Sequence, residues 1–279
     1  MRTRQLWAVV LCGWLGACVP VQESRNASNA DPDLSNNLLY ALAWKQTAAE
    51  YEALYYQGFN MARLHLMQAL DDADRTGRPL AIISDLDDTL LMARDYWGHL
   101  VETDHDFFDD ARWDRWVTEV QAIASPGALE FLEFCVANGV EVFYVTNRDQ
   151  GDKTFELVLK SLQTLGFPYA DADHLIVLRE SSNKEPAQNL IREKYDVVVM
   201  LGDNLNDFSR QFYLTDVAAR LAVVEGEINR FGAEFILFPN PTDGHWLRAI
   251  FGESEPAPTA ANRQTMRKAA MHRTWQPES

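Results

Sequence analysis

Three aspartates fall within four residues in the stretch Asp85-Leu86-Asp87-Asp88-Thr89, directly after the apolar run Leu80-Ala81-Ile82-Ile83-Ser84. Carboxylates this close raise one another's pKa unless positive charge sits among them. The stretch therefore predicts either acids turned to water or a held cation. A second acidic knot, Gly202-Asp203-Asn204-Leu205-Asn206-Asp207, follows the apolar run 196–201. Thr146-Asn147-Arg148-Asp149 closes the run 140–146, and Ser181-Ser182-Asn183-Lys184 comes shortly after the run 174–178. Polar residues at one such end are ordinary loop chemistry, but four in a row predict one site. Asp85, Asp203 and Asp207 are expected to converge there. Oxygen ligands without His or Cys suit a hard cation, Mg²⁺ above all, of the kind that also binds substrate phosphate. Lys184 would add a second positive charge, and Thr146 and Asn147 neutral donors. Together they are equipment for neutralising a phosphoryl group.

The elements that must position these residues follow from periodicity. Five apolar runs of strand length lie at 80–84, 140–146, 174–178, 196–201 and 234–238, and most are separated by helical patterns at 128–139, 154–166, 187–195 and 208–221. That alternation predicts an α/β, Rossmann-like parallel sheet flanked by helices. The near-continuous apolar strands predict burial on both faces. In such sheets ligands bind outside the carboxyl ends of the strands, where all four polar stretches fall. Residues 34–77 read as N-terminal helices packing with a cap. The core then spans 78–251, and the acidic, aromatic segment 92–125 is a smaller, mainly helical cap inserted after the first strand. Beyond Phe251 the chain turns to Pro, Ala, Thr and Glu and predicts a loose tail over 252–279.

The chain has 279 residues and a formal net charge of −16, so nucleic acid polymers are poor partners for its surface. Arg2 and Arg4 precede a short apolar run, Leu6 to Leu15, and small residues then lead to Cys18. Residues 1–17 read as a secretory signal, too short to span a bilayer. Leu15-Gly16-Ala17-Cys18 resembles a bacterial lipobox, which implies lipidation at Cys18 and a flexible tether over 18–33. The expected location is therefore outside the cytoplasm, lipid-anchored to a bacterial membrane. Cys135, the one cysteine beyond the leader and Cys18, is expected as a small core side chain. The aromatic N-terminal helices are a candidate homodimer face.

The four polar stretches carry a resemblance. Asp85-Leu86-Asp87-Asp88-Thr89 resembles the first motif of the haloacid dehalogenase (HAD) superfamily. The stretch 144–148 resembles the second, Lys184 the third and 202–207 the fourth. The segments 41–62, 125–131, 142–149, 201–208 and 238–241, with Asp114 and Trp116, resemble the bacterial class C acid phosphatases. These are surface lipoproteins of the lipoprotein e type that act as 5′-nucleotidases. The resemblance implies a Mg²⁺-dependent acid phosphatase in an outer-membrane setting, acting on small phosphomonoesters. It implies Asp85 as nucleophile, forming an aspartyl-phosphate, and Asp87 as general acid and then base. It implies Asp85, Asp203 and the Asp87 backbone carbonyl as metal ligands with Asp207 in support. Thr146, Asn147 and Lys184 would hold the phosphate, and Lys184 would keep Asp85 ionised. Arg148 is expected to steady its loop, and Trp113 to stack a nucleobase. The chain departs from the family pattern at Asp88, at Met92-Ala93 beside the expected mouth, and at Asp243, where relatives often carry an aromatic residue. Transfer of phosphate to an alcohol through the same intermediate, or a non-catalytic surface-binding lipoprotein, are the alternative readings.

Overall fold

The computed structural model describes residues 36–72, 77–119 and 122–275. The signal, Cys18 and the tether lie outside these residues. Two helices lead, α1 (Leu39–Thr47) and α2 (Ala49–Asp71). The remainder runs β1 (Leu80–Ser84), β2 (Leu91–Met92), α3 (Arg94–Glu102), α4 (Asp110–Glu119), β3 (Ile123–Ala124), α5 (Ala128–Ala137), β4 (Glu141–Asn147), α6 (Thr154–Thr164), β5 (Leu175–Leu178), α7 (Glu185–Lys194), β6 (Asp196–Gly202), α8 (Val217–Gly226), β7 (Phe235–Leu237), α9 (His245–Phe251) and α10 (Ala260–Ala270).

The main sheet has the order β5-β4-β1-β6-β7, with every pairing parallel. β1 is central, and Ala81 to Ser84 are all buried, as a strand covered on both faces requires. The chain builds outward from β1 through β4 to β5 and then crosses to β6 on the other side. That reversal opens the crevice between the carboxyl ends of β1 and β6, so Asp85 and Asp203 become neighbours by topology alone.

α2 lies on the sheet rather than on the cap. Its Tyr55 stacks on Phe238 and its Phe59 packs tilted against it, with ring centroids 4.9 and 4.7 Å away. A Cβ at Gly58 would sit 2.6 Å from the Phe238 ring, so the helix approaches this closely only because residue 58 has no side chain. α1 joins the cap core, where Leu42 and the preceding Leu38 pack with Tyr96, Trp97, Leu100, Trp113 and Val117, while α2 touches the cap through Arg94 at Glu52 and Tyr51. The expected N-terminal unit is thus divided between cap and core, because the two helices present their apolar faces to different layers. The antiparallel pair β2–β3 closes the neck of the cap, with Leu91 opposite Ala124 and Met92 opposite Ile123.

Two expectations are corrected. The helix read over 208–221 begins only at Val217, because Asp216 accepts from the Ala219 N–H at 2.7 Å and fixes the start there. The tail beyond Phe251 is not loose over its described part. It forms α10, whose Arg263 donates to the fully buried Asp106 of the cap at 2.8 Å, and Phe251 sets its ring edge-on to Phe107. Composition missed this docking, since the partner acid lies 157 residues away.

Candidate active site

Asp85 leaves the end of β1, its N–H donating to the Leu201 carbonyl of β6 at 3.0 Å. Asp203 leaves the end of β6. The turn after it brings back Asp207, whose carboxylate accepts from the Asn204 N–H at 2.9 Å while the Asn204 side chain accepts from the Asp207 N–H. A Cβ at Gly202 would meet Asp207 at 2.6 Å, so a glycine is required for that return. Asp85, Asp203 and Asp207 each offer an oxygen within 4.8 Å of the others. Lys184, immediately before α7, donates to Asp85 and lies 2.8 Å from Asp207. Asp85, Asp207 and Lys184 are buried and Asp203 is half-buried.

The electrostatics of this group are unbalanced. Burial pushes the Asp85 carboxyl up to about 7; Lys184 pulls it down, but Asp207 and Asp87 add to the rise. Burial, then Asp207, Asp85 and Asp88, push Asp203 well above the usual carboxylate range. Lys184 is desolvated too, yet the two acids beside it keep its ammonium firmly charged. Lys184 draws the Asp85 carboxyl down as expected, but in the absence of a metal ion burial and the neighbouring acids outweigh it. The set of hard oxygen donors fits a divalent cation, which supplies the missing positive charge.

A pH-dependent stability follows. Asp85 releases its proton near 3.9 in the unfolded chain but, without a cation, near 7 in the fold. Its contribution to stability is present below pH about 4 and is lost as the pH rises through 7. A divalent cation binds the ionised form and reverses that loss. Thermal melts should show a larger rise in Tm on adding Mg²⁺ at pH 7.5 than at pH 5. An equal rise at both would mean these carboxylates are not the site.

Asp87 points elsewhere. Its carboxylate is gripped by the Arg148 guanidinium through both oxygens, Nε at 2.7 Å from one of them. Arg148 is 5% exposed and lies 5.5 Å from the Trp113 ring. Arg148 thus steadies Asp87 itself, a role its place in a loop did not reveal. Thr146 lines the same cavity, its buried Oγ1 without a partner among the described residues. Asn147 also lines it, but its side-chain N–H is given to the Ser181 carbonyl at 2.6 Å, so its amide positions the loop that carries Lys184. Trp113 lines the cavity too while belonging to the cap core, edge-on to Tyr96 and stacked on Trp116 at 4.9 Å. Met92 and Ala93 are buried in the neck and cap core rather than standing at the mouth.

Sequence reasoning missed three contributors. Asn206 has a buried side-chain amide with neither polar atom partnered, and it lines the cavity. Asn240, after β7, donates to Asp203 at 2.7 Å and to Asp88 at 3.1 Å, linking the two acidic knots. Lys45 of α1, 1% exposed, sits 2.9 Å from Asp88 and donates to Thr242 at 2.8 Å. Asp88 takes a left-handed φ of 53°, which Asp tolerates better than most residues, and its carbonyl accepts from the Tyr55 hydroxyl at 2.6 Å. The signal for Asn240 lay in the Phe-Pro-Asn-Pro stretch, a rigid turn directly after a strand. Lys45 gave no signal.

Comparison with known proteins agrees with this geometry. Residues 12–246 match the family described as HAD superfamily, subfamily IIIB (acid phosphatase). The fold is similar to the class C acid phosphatase from Bacillus anthracis solved with tungstate bound, at 32% identity and a TM-score of 0.78, covering 88% of this chain and 100% of that one. A second structure of the Bacillus anthracis class C acid phosphatase matches at 31% identity, with the same TM-score and coverage. The chain belongs to subfamily IIIB of the HAD superfamily, the acid phosphatases, and is a phosphomonoesterase.

Proposed function

We propose that this phosphatase hydrolyses small phosphomonoesters, 5′-nucleotides among them, through an aspartyl-phosphate on Asp85 with Mg²⁺ as cofactor. The observation that carries the reading is Lys184 bridging Asp85 and Asp207 beside Asp203, at the switch point of the sheet. Asp85 and Asp203, with Asp207 in support and the Asp87 carbonyl, would hold the Mg²⁺. The ion supplies positive charge to the phosphoryl oxygens.

The chain's own groups perform the steps. An Asp85 oxygen forms a bond to phosphorus as the ester oxygen departs with its electron pair. Asp87 gives that oxygen a proton, then takes one from the water that attacks the aspartyl-phosphate and returns Asp85 to its free form. The carboxyl of Asp87 stands apart from the cation-binding group, held by Arg148, so proton transfer and metal binding do not compete for it. Lys184 and the Thr146 hydroxyl contact phosphate oxygens.

Phosphate release from a panel of 5′-nucleotides and simple alkyl phosphates tests this, with Mg²⁺ and with chelator. Metal-dependent release supports it, whereas release that survives chelation and dialysis removes the cofactor from the scheme. The reading includes export and lipidation at Cys18, supported by the leader and Leu15-Gly16-Ala17-Cys18. Acyl-chain labelling of the full chain in a bacterial host, lost in Cys18→Ala, is the check. It also includes a homodimer through α2, which exposes Leu54, Met61 and Leu64; sedimentation of the soluble chain decides it.

A further inference from the structure

The cavity that holds the acidic group is also lined by Trp97, Phe108, Trp113, Asp243 and His245. The carboxylates around the cavity differ in how they are balanced. Asp87 has Arg148, Asp88 has Lys45, and Asp85 and Asp207 share Lys184. Asp203 belongs to the cation-binding group. Asp243 has no cation partner among the described residues; its carboxylate accepts from the Gly244 N–H, and Lys45 acts on it only from a distance. Burial raises its carboxyl to about 6, so it is an anion at neutral pH that the protein leaves uncompensated.

Its neighbours do not supply the missing charge. Burial holds the His245 imidazole neutral, down to about 4, with Nδ1 unpartnered. Trp97, Phe108 and Trp113 form a continuous aromatic wall, their successive ring centroids 6.2 and 5.6 Å apart. Lys45 already lies 5.5 Å from the Trp97 ring and Arg148 5.5 Å from the Trp113 ring, so an organic cation here gains chiefly from the Asp243 carboxylate, which has no ion-pair partner among the described residues. The cavity, about 190 Å³, is smaller than the roughly 300 Å³ at which ligand sites usually begin. It is open to solvent on one side, so a short alcohol fills its walled part and a nucleoside extends beyond it.

We propose that Asp243 sets leaving-group specificity by receiving an ammonium group on the alcohol, so that phosphate monoesters of short amino alcohols are favoured substrates. This rests on the phosphatase reading above. The chemistry is unchanged: the P–O bond to the amino alcohol breaks, the alcohol leaves protonated, and water supplies the oxygen of the released phosphate. An alcohol carrying a second anion is disfavoured, because it would face Asp243 with like charge.

The test compares O-phosphoethanolamine with propyl phosphate, which replaces the ammonium by a methyl group at nearly the same size. The expected kcat/KM ratio in the wild type is on the order of tenfold or more in favour of the amine, as for a hydrogen bond to a charged group. In Asp243→Asn the ratio should fall to near unity; Asp243→Ser is the second variant if the first does not fold. A wild-type ratio near one overturns the inference whatever the variants do. A high ratio that persists in a folded variant, or rates that fall in parallel for both esters, removes Asp243 from the role. Release from neither ester nor from any 5′-nucleotide would instead sink the phosphomonoester mechanism, and the substrate class with it.

Discussion

Asp85→Asn should abolish phosphate release while leaving the fold intact. The substitution keeps the size and the Lys184 contact but removes the nucleophilic charge. An amide oxygen at that position cannot form the acyl phosphate, so kcat should fall roughly 10⁴-fold or more, the scale seen when a covalent nucleophile is removed. Stability should move the other way. Asp85 is a buried acid among Asp203 and Asp207, and neutralising it relieves repulsion that Lys184 alone does not offset. In the absence of metal the variant should melt higher than the wild type at pH 7.5, and the gap should close toward pH 5, where the wild-type carboxyl is protonated. Substantial Mg²⁺-dependent turnover in the variant would remove Asp85 from the nucleophile role.

The second large effect concerns stability. Lys45→Met should destabilise the fold by about 3–5 kcal/mol, the cost of breaking a buried ion pair and stranding one partner. Asp88 would keep only the Asn240 amide, in a turn already held at φ 53°. For a chain of this size, that energy corresponds to a drop in Tm of about 10 °C. The damage reaches the site, because Asn240 bridges Asp88 to Asp203 and also accepts from Thr242. Lys45→Met/Asp88→Asn removes both charges, and Asn still tolerates the left-handed turn, so most of the lost stability should return. Denaturant melts of the wild type, Lys45→Met, Asp88→Asn and the double variant measure the coupling. A single variant within 1 kcal/mol of wild type would mean the pair is not a structural tie.

Periodicity and strand ends were enough to read the sheet, because a strand buried on both faces needs a continuous apolar run and a following loop carries whatever is polar. The parallel order around β1 then made Asp85 and Asp203 neighbours, and the loop between β5 and α7 carried Lys184 to them. Local chemistry also located Asp207 and Thr146, which lie within a few residues of their strand ends. What the sequence could not display were partners held across long separations. Lys45 looks like any solvated lysine on an amphipathic helix until α1 folds over Asp88. Arg148 looks like a loop residue until Asp87, 61 positions earlier, turns toward it. Arg263 and Asp106 tie the tail to the cap across 157 positions, in a stretch whose composition reads as loose. Asp243 is one more acid in the chain until the fold half-buries it in the cavity with no ion-pair partner among the described residues. Charge pairing depends on three-dimensional proximity and on desolvation, and neither is periodic along the chain. The sequence by itself determined which polar groups stand at the carboxyl end of the sheet, where the proposed chemistry takes place. Only the tertiary structure decided which of those charges are balanced, and therefore which remain open to a metal or a substrate.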